Sequence, residues 1–435
     1  MMQETKAFGL WSAIFLGIGS MVGAGIFIVI GQAGSMAGNI VWLSFIFGAL
    51  IALLSGYSLA KLAITYQSRG GIVEYLVQGF GENLFSGSMG VVFYFSQLIA
   101  VAAVAKSFGT YAATFMTHSS ELMINIFSVG VVLLFTLINL IGASLVAKSE
   151  NIIVFIKLGV LIIFAIAALF SIQPELLSLN KMPPISGMVF AIGITFFAYQ
   201  GFSVITNTVE DMQDPQTTML KAMVYAIIIV AILYILTSIA VLGNLPLEKI
   251  IETKDYALAE AAKPLFGEWG FKIMSVTALL ATASAINATL YAVTEIGYTM
   301  AKDGNLPEVY EYHIFNSYEG LIVSALIVTP LIIFFNISEI TTVAAIVMLL
   351  VQGTTHIAHL KVLKHTGAKL WVILLAIVAL FGVALLTLYS TYKTMPEIIY
   401  YLLATFLVAF IIEILLRLIK RRTLKKQSTP SYIHE

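Results

Sequence analysis

A lysine stands in the middle of an apolar run, Lys157 in NIIVFIKLGVLIIFAIAALF. Counted from Ser149, it sits about 12 Å along a helix, inside a hydrocarbon core of about 30 Å. A lysine at that depth costs about 2.5–3.5 kcal/mol and commonly marks an ion path. It could also snorkel to the nearer surface or fix a structural hydrogen bond. Burial favours the neutral amine and surrounding carbonyls favour the ammonium. The chemistry on offer is therefore reversible proton loading.

A second constellation is built from glycine. GIGSMVGAGIF holds Gly17, Gly19, Gly23 and Gly25, and FFAYQGFS holds Gly201 among aromatics. Unwinding a helix in mid-membrane frees N–H and C=O groups that protein, water or ligand must satisfy. Freed N–H groups at the positive end of a half-helix suit a carboxylate, and freed carbonyls suit an ammonium. Gly23 and Gly25 would let a ligand approach the backbone closely. The competing reading is helix packing, since Gly19 and Gly23 form a GxxxG pair.

Other chemistry is excluded or carries no pattern. There is no cysteine, so thiol catalysis, thiolate metal sites and disulfides are absent. Six histidines without HExxH argue against a metal site, and His356 and His359 match no catalytic signature. Lys106, in AVAAVAKSFGTYAATF, nearer the outer end of the third span, reads as a structural contact or an outer-vestibule residue. Glu295 reads as lining a vestibule or as a second proton carrier, and Glu413 with Arg417, four apart, as a local pair.

The elements that position these residues are transmembrane helices. Of 435 residues 60% are hydrophobic and 11% charged, with mean hydropathy +0.97. Soluble domains carry about 25% charged residues, so most of this surface faces lipid. A net charge of +0 suggests no polyanionic partner, and no nucleic acid is expected. Twelve spans are expected, roughly 8–33, 40–65, 84–116, 123–144, 149–172, 186–209, 218–243, 269–300, 319–335, 339–360, 369–392 and 396–419. With both termini cytoplasmic, 15 lysines and arginines fall inside and 6 outside, the bias expected of a multi-pass protein of the cytoplasmic membrane. Trp11, Trp42, Trp269 and Trp371 fall near span ends, where indole rings prefer to sit.

Residues 1–435 form one transmembrane domain with no soluble part. The longest polar stretch, Gly243 to Glu268, reads as short amphipathic helices outside, and the basic tail 420–435 as a lipid-contacting anchor. The two glycine interruptions lie five spans apart, and five is odd. That predicts an inverted repeat, 8–172 against 186–360, with 369–419 left over and with spans one and six broken at the midplane.

GSMVGAGIF resembles the first-helix signature of the amino acid–polyamine–organocation (APC) family, which has the LeuT-type fold. SRGGIVEYLVQGFG, EDMQDP and AKDGNLP resemble three further family stretches, so the likeness covers about residues 8–420. It is strongest to the proton-coupled, broad-specificity amino-acid transporters. One departure is QTTMLKAM after EDMQDP, where the family usually has basic residues and a second proline.

The resemblance implies a substrate carboxylate on the amides of Gly23, Ala24 and Gly25. It implies an ammonium on carbonyls near Met21, Phe197 and Gln200, beside Gly201, with Phe197 as an aromatic gate. It aims Lys157 at the carbonyls of Gly19 and Val22 and at Ser284, in the place of a coupling sodium. No charged side chain lies at the substrate positions, which favours neutral amino acids. The expectation is an all-α secondary transporter and not an enzyme. It would need no cofactor beyond the coupling proton, and its oligomeric state is open. An amino-acid exchanger is the alternative, and an ion channel the competitor from another class.

Overall fold

The computed structural model describes residues 9–68, 70–141, 144–178 and 185–420. Lys6, Arg69, Lys181 and the basic tail beyond Lys420 lie outside the described residues, as does the expected first residue of the repeat, 8.

The expected apolar segments are helical. They form α1 (Leu10–Ala37), α2 (Val41–Thr65), α4 (Leu84–Ala113), α5 (Glu121–Ile141), α6 (Ser144–Phe170), α7 (Ile185–Tyr199), α8 (Pro215–Asn244), α11 (Lys263–Lys302), α12 (Glu319–Phe334), α13 (Ile337–Lys361), α15 (Leu370–Thr394) and α16 (Ile398–Lys420). Among the described residues ten helical stretches are long and apolar enough to cross a membrane. Leu10–Gly23 and Glu319–Phe334 are shorter apolar stretches. The SRGGIVEYLVQGFG segment contains the short helix α3 (Ile72–Phe80). The polar stretch Gly243 to Glu268 holds two short helices, α9 (Leu247–Glu252) and α10 (Ala257–Glu260), as expected. A four-residue helix α14 (Leu363–Thr366) follows α13, and a small hairpin, β1 (His313–Ile314) with β2 (Ser317–Tyr318), precedes α12.

Local chemistry sets the ends. Asn83 and Asn336 cap α4 and α13, each accepting from the backbone N–H three residues on in a reciprocal capping box. Pro215 starts α8, where its missing N–H costs nothing. Gly367, left-handed, stops α14.

Helices apolar on every face are either buried or lipid-facing, and this fold sorts them. α1, α4 and α13 lie inside, packed on α7 and α8, on α11 and α5, and on α15 and α3 respectively. α5, α6, α15 and α16 lie outside and expose Leu137, Phe155, Phe170, Leu385 and Leu407. So wide an apolar surface is stable only against lipid. The molecule is a multi-pass membrane protein.

The two expected interruptions fare differently. α1 is helical from Leu10 to Ala37, so the break expected at Ser20–Gly23 is not a gap in the helix. Glycine costs only about 1 kcal/mol in a helix and does not forbid one. In the sixth segment α7 ends at Tyr199 and twelve residues, Gln200–Asp211, continue as a 3-10 helix. Runs of that kind beyond three or four residues are uncommon and often mark a hinge.

Candidate functional site

The two interruptions face each other across a glycine contact. A Cβ on Gly201 would lie 2.5 Å from the Met21 nitrogen and the Ser20 carbonyl carbon. A Cβ on Gly25 would lie 2.5 Å from the Ala198 carbonyl oxygen and closer still to the Tyr234 hydroxyl. Backbone therefore meets backbone where the polar groups of both segments are concentrated. Gly23 meets the Ala285 methyl of α11 in the same way. Ala24 lies within α1, in the turn between these two glycines.

Three backbone carbonyls here take hydrogen bonds from side chains. Lys157 is fully buried, and its Nζ donates to the Gly19 carbonyl at 2.8 Å. Tyr234 of α8 donates its hydroxyl to the Met21 carbonyl at 2.7 Å and to that of Ala198 at 3.3 Å. One phenol thus spans both segments. A carbonyl has two lone pairs, so Gly19 and Met21 can accept from a side chain without leaving their helix. Val22 and Ser284 are buried on α1 and α11, and α6, which carries Lys157, packs on both helices.

Phe197 is buried beside this junction. Gln200 opens the 3-10 stretch and accepts through Oε1 from the Gln352 amide of α13 at 2.8 Å. Its own Nε2 is buried with no hydrogen-bond partner among the described residues. Such an orphan donor costs about 1–3 kcal/mol, which an anionic or carbonyl ligand group would recover.

Sequence reasoning missed Tyr234 and Gln352. Tyr234 gives no signal in sequence, because a tyrosine within the apolar run AIIIVAILYILTS reads as core. Gln352 had a signal: a polar stripe at 352, 356 and 359 marks one face of α13. Lys106 is placed outside the site as expected. Its Nζ donates to Asn125 Oδ1 at 2.6 Å and to the Ile332 carbonyl at 2.9 Å, joining α4, α5 and α12. Glu413 and Arg417 pair at 2.7 Å.

A transporter-like site raises the question of kinship, and the amino acid permease profile matches residues 8–428. The chain belongs to the amino acid permease family. Membership places it among membrane transporters, not enzymes, and implies an amino-acid substrate. It is 32% identical over 423 residues to an uncharacterised protein of Methanocaldococcus jannaschii, covering 97% of each chain. It is 32% identical to the inner membrane transport protein YbaT of Escherichia coli, covering 95% of this chain and 96% of that one. A serine/threonine exchanger of Bacillus subtilis, SteT, is 26% identical over 69% of each.

Proposed function

We propose that this permease moves neutral amino acids across the cytoplasmic membrane by proton symport, alternating access to a site between α1 and the start of the 3-10 stretch. The observation that carries the reading is the fully buried Lys157 ammonium on the Gly19 carbonyl, two residues from Met21 at the facing junction.

The substrate carboxylate would take the amides of Gly23, Ala24 and Gly25. That requires the turn at those glycines to open, at a cost the carboxylate offsets. The ammonium would take the carbonyls at Met21, Phe197 and Gln200, displacing the Tyr234 hydroxyl. Phe197 would close over the ligand beside Gly201, and the free amide of Gln200 would complete its polar shell. Apart from Lys157 these groups carry no charge, which suits a zwitterion without net charge.

Lys157, with Gly19, Val22 and Ser284, would do the work of a coupling cation. Protonated, it braces α6 against α1 by a charge-assisted bond, about twice as strong as a neutral one. Deprotonated, it loosens that brace and helps the inner side to open.

The proposed frame has twelve spans, both termini cytoplasmic, and a repeat of 8–172 with 186–360. Several helix contacts are matched when each of the first five spans is exchanged for its counterpart five later, which supports the repeat. α1 on α8 corresponds to α7 on α2, α4 on α13 to α11 on α6, and α5 on α11 to α12 on α4. The printed name of the exchanger relative favours a second reading, amino-acid exchange. Uptake of labelled neutral amino acids by purified protein in liposomes separates the two. Symport predicts pH-driven accumulation into empty vesicles. Uptake that appears only when amino acid is preloaded inside would contradict it.

A further inference from the structure

A phenol already holds one of the backbone carbonyls that the proposed site offers to an ammonium. Tyr234 Oη donates to the Met21 carbonyl of α1 at 2.7 Å and to the Ala198 carbonyl of α7 at 3.3 Å. Tyr234 has no solvent exposure, and Met21 and Ala198 have 1% and 2%. The ring is as tightly held as its hydroxyl. The Phe45 ring of α2 meets it edge-on with centroids 5.7 Å apart, and the Tyr199 ring of α7 lies tilted at 5.2 Å. Tyr199 in turn donates its hydroxyl to the Phe45 carbonyl at 3.1 Å. Gly25 leaves the space that the Tyr234 hydroxyl fills, since a Cβ there would meet both Tyr234 Oη and the Ala198 oxygen.

A carbonyl has two lone pairs. At Met21 one serves the α1 helix and the other takes the phenol. An ammonium arriving at the intact helix therefore finds no lone pair free and must take the phenol's place. It is the better donor. The phenol divides one hydrogen between two carbonyls, whereas an ammonium brings three hydrogens and a charge. The phenol in turn has the advantage of being in place already, while the ammonium must leave water.

We propose that Tyr234 is an internal stand-in for the substrate ammonium. Its hydroxyl holds the Met21 and Ala198 carbonyls whenever no amino acid does, and so lets the unloaded carrier pass between its two open states. This rests on the proton-symport reading, because a symporter must return unloaded and an exchanger need not. On that return the junction closes and dries. A buried carbonyl without a donor is costly there, whereas in the open states water can serve it. The hydroxyl thus lowers the closed, unloaded state more than the open ones. It also opposes substrate binding, because its bond to Met21 must break first. Phe45 and Tyr199 keep the phenol from swinging aside, so the ammonium displaces it by shifting α1 against α8. Tyr234 acts here as a positioning residue, through the two carbonyls.

The test uses the full-length protein and a mixture of labelled neutral amino acids. Tyr234→Phe keeps the ring and removes only the hydroxyl. Titration calorimetry with the amino acid that the wild type takes up fastest should show binding about twofold to tenfold tighter, the worth of one hydrogen bond. In liposomes, pH-driven uptake into empty vesicles should fall about fivefold or more relative to exchange against preloaded amino acid. A tyrosine with a merely structural role would weaken binding and slow both modes alike, and either result would overturn the stand-in alone. A wild type without net uptake into empty vesicles would remove the symport reading and the stand-in with it. 3-Fluorotyrosine placed at position 234 keeps the hydroxyl and reports its displacement directly. Its fluorine resonance should shift when the amino acid is added, and an unmoved resonance would contradict the proposal.

Discussion

Lys157 gives up hydration for buried contacts that include the Gly19 carbonyl, so its removal should be felt in coupling more than in folding. Lys157→Ala forfeits a charge-assisted bond of about 1.5–3 kcal/mol, or about tenfold to a hundredfold in the equilibrium it biases. Lys157→Arg should do little better, because guanidinium is larger and does not deprotonate in proteins. Gly25 predicts a different loss. A side chain there meets the Ala198 carbonyl oxygen and the Tyr234 hydroxyl, so Gly25→Val should abolish amino-acid binding. Titration calorimetry on monodisperse protein checks this, and near-wild-type affinity would contradict the assignment. At this scale the sequence was partly legible. Lys157 declares itself by its cost in lipid, and the glycines by their crowding. Tyr234 does not, because its role depends on two carbonyls far away in the chain.

The 3-10 stretch Gln200–Asp211 is where span six departs from an ordinary helix. The glycine count located that change to within a residue or two, yet the same count placed a gap in α1 where the helix continues. Glycine density reports where backbones approach. Whether the helix also opens depends on the neighbours, here Lys157 and Tyr234, which bond its carbonyls without displacing its own ladder. Close approach gives a direct contrast. Gly201→Ala would push a methyl into Ser20 and Met21 and should cost about 1–3 kcal/mol. Gly382→Ala on α15 meets nothing within 4 Å and should be neutral or stabilise by about 0.5–1 kcal/mol. Thermal unfolding of both variants in detergent checks the pair, and equal effects would undo the packing argument.

Across the whole molecule, the end of the bundle that carries α9 and α10 is fastened by contacts that no local pattern announces. Gln32 of α1 donates to Asp255, in the turn between α9 and α10, at 2.5 Å and accepts from Ser338 of α13 at 2.7 Å. Lys254 adds a 3.2 Å bond to Ser338. Burial raises the Asp255 carboxyl above its ordinary range, against the opposing pull of Lys254 and the Gln32 bond. The folded state therefore holds this proton more tightly than the unfolded chain. The stabilisation is full below the ordinary carboxyl pKa of about 4 and is lost as pH rises through the raised value. Asp255→Asn should flatten that slope in thermal unfolding measured from acid to neutral pH, and an unchanged slope would exclude Asp255 as its source. The apolar helices, their lipid-facing surface and the α9–α10 pair were legible from hydropathy and charge. This fastening was not, because Gln32 reaches partners 223 and 306 positions away in the chain.

Coupling is the central claim, and uptake into proteoliposomes at set inner and outer pH measures it most directly. Wild type and Lys157→Ala are compared in sodium and in potassium buffer. Proton coupling through Lys157 requires wild-type accumulation driven by an inward proton gradient, equal in the two buffers, and its loss in Lys157→Ala even where substrate binding persists. Sodium-dependent uptake by the wild type, or unimpaired pH-driven accumulation by Lys157→Ala, would contradict it.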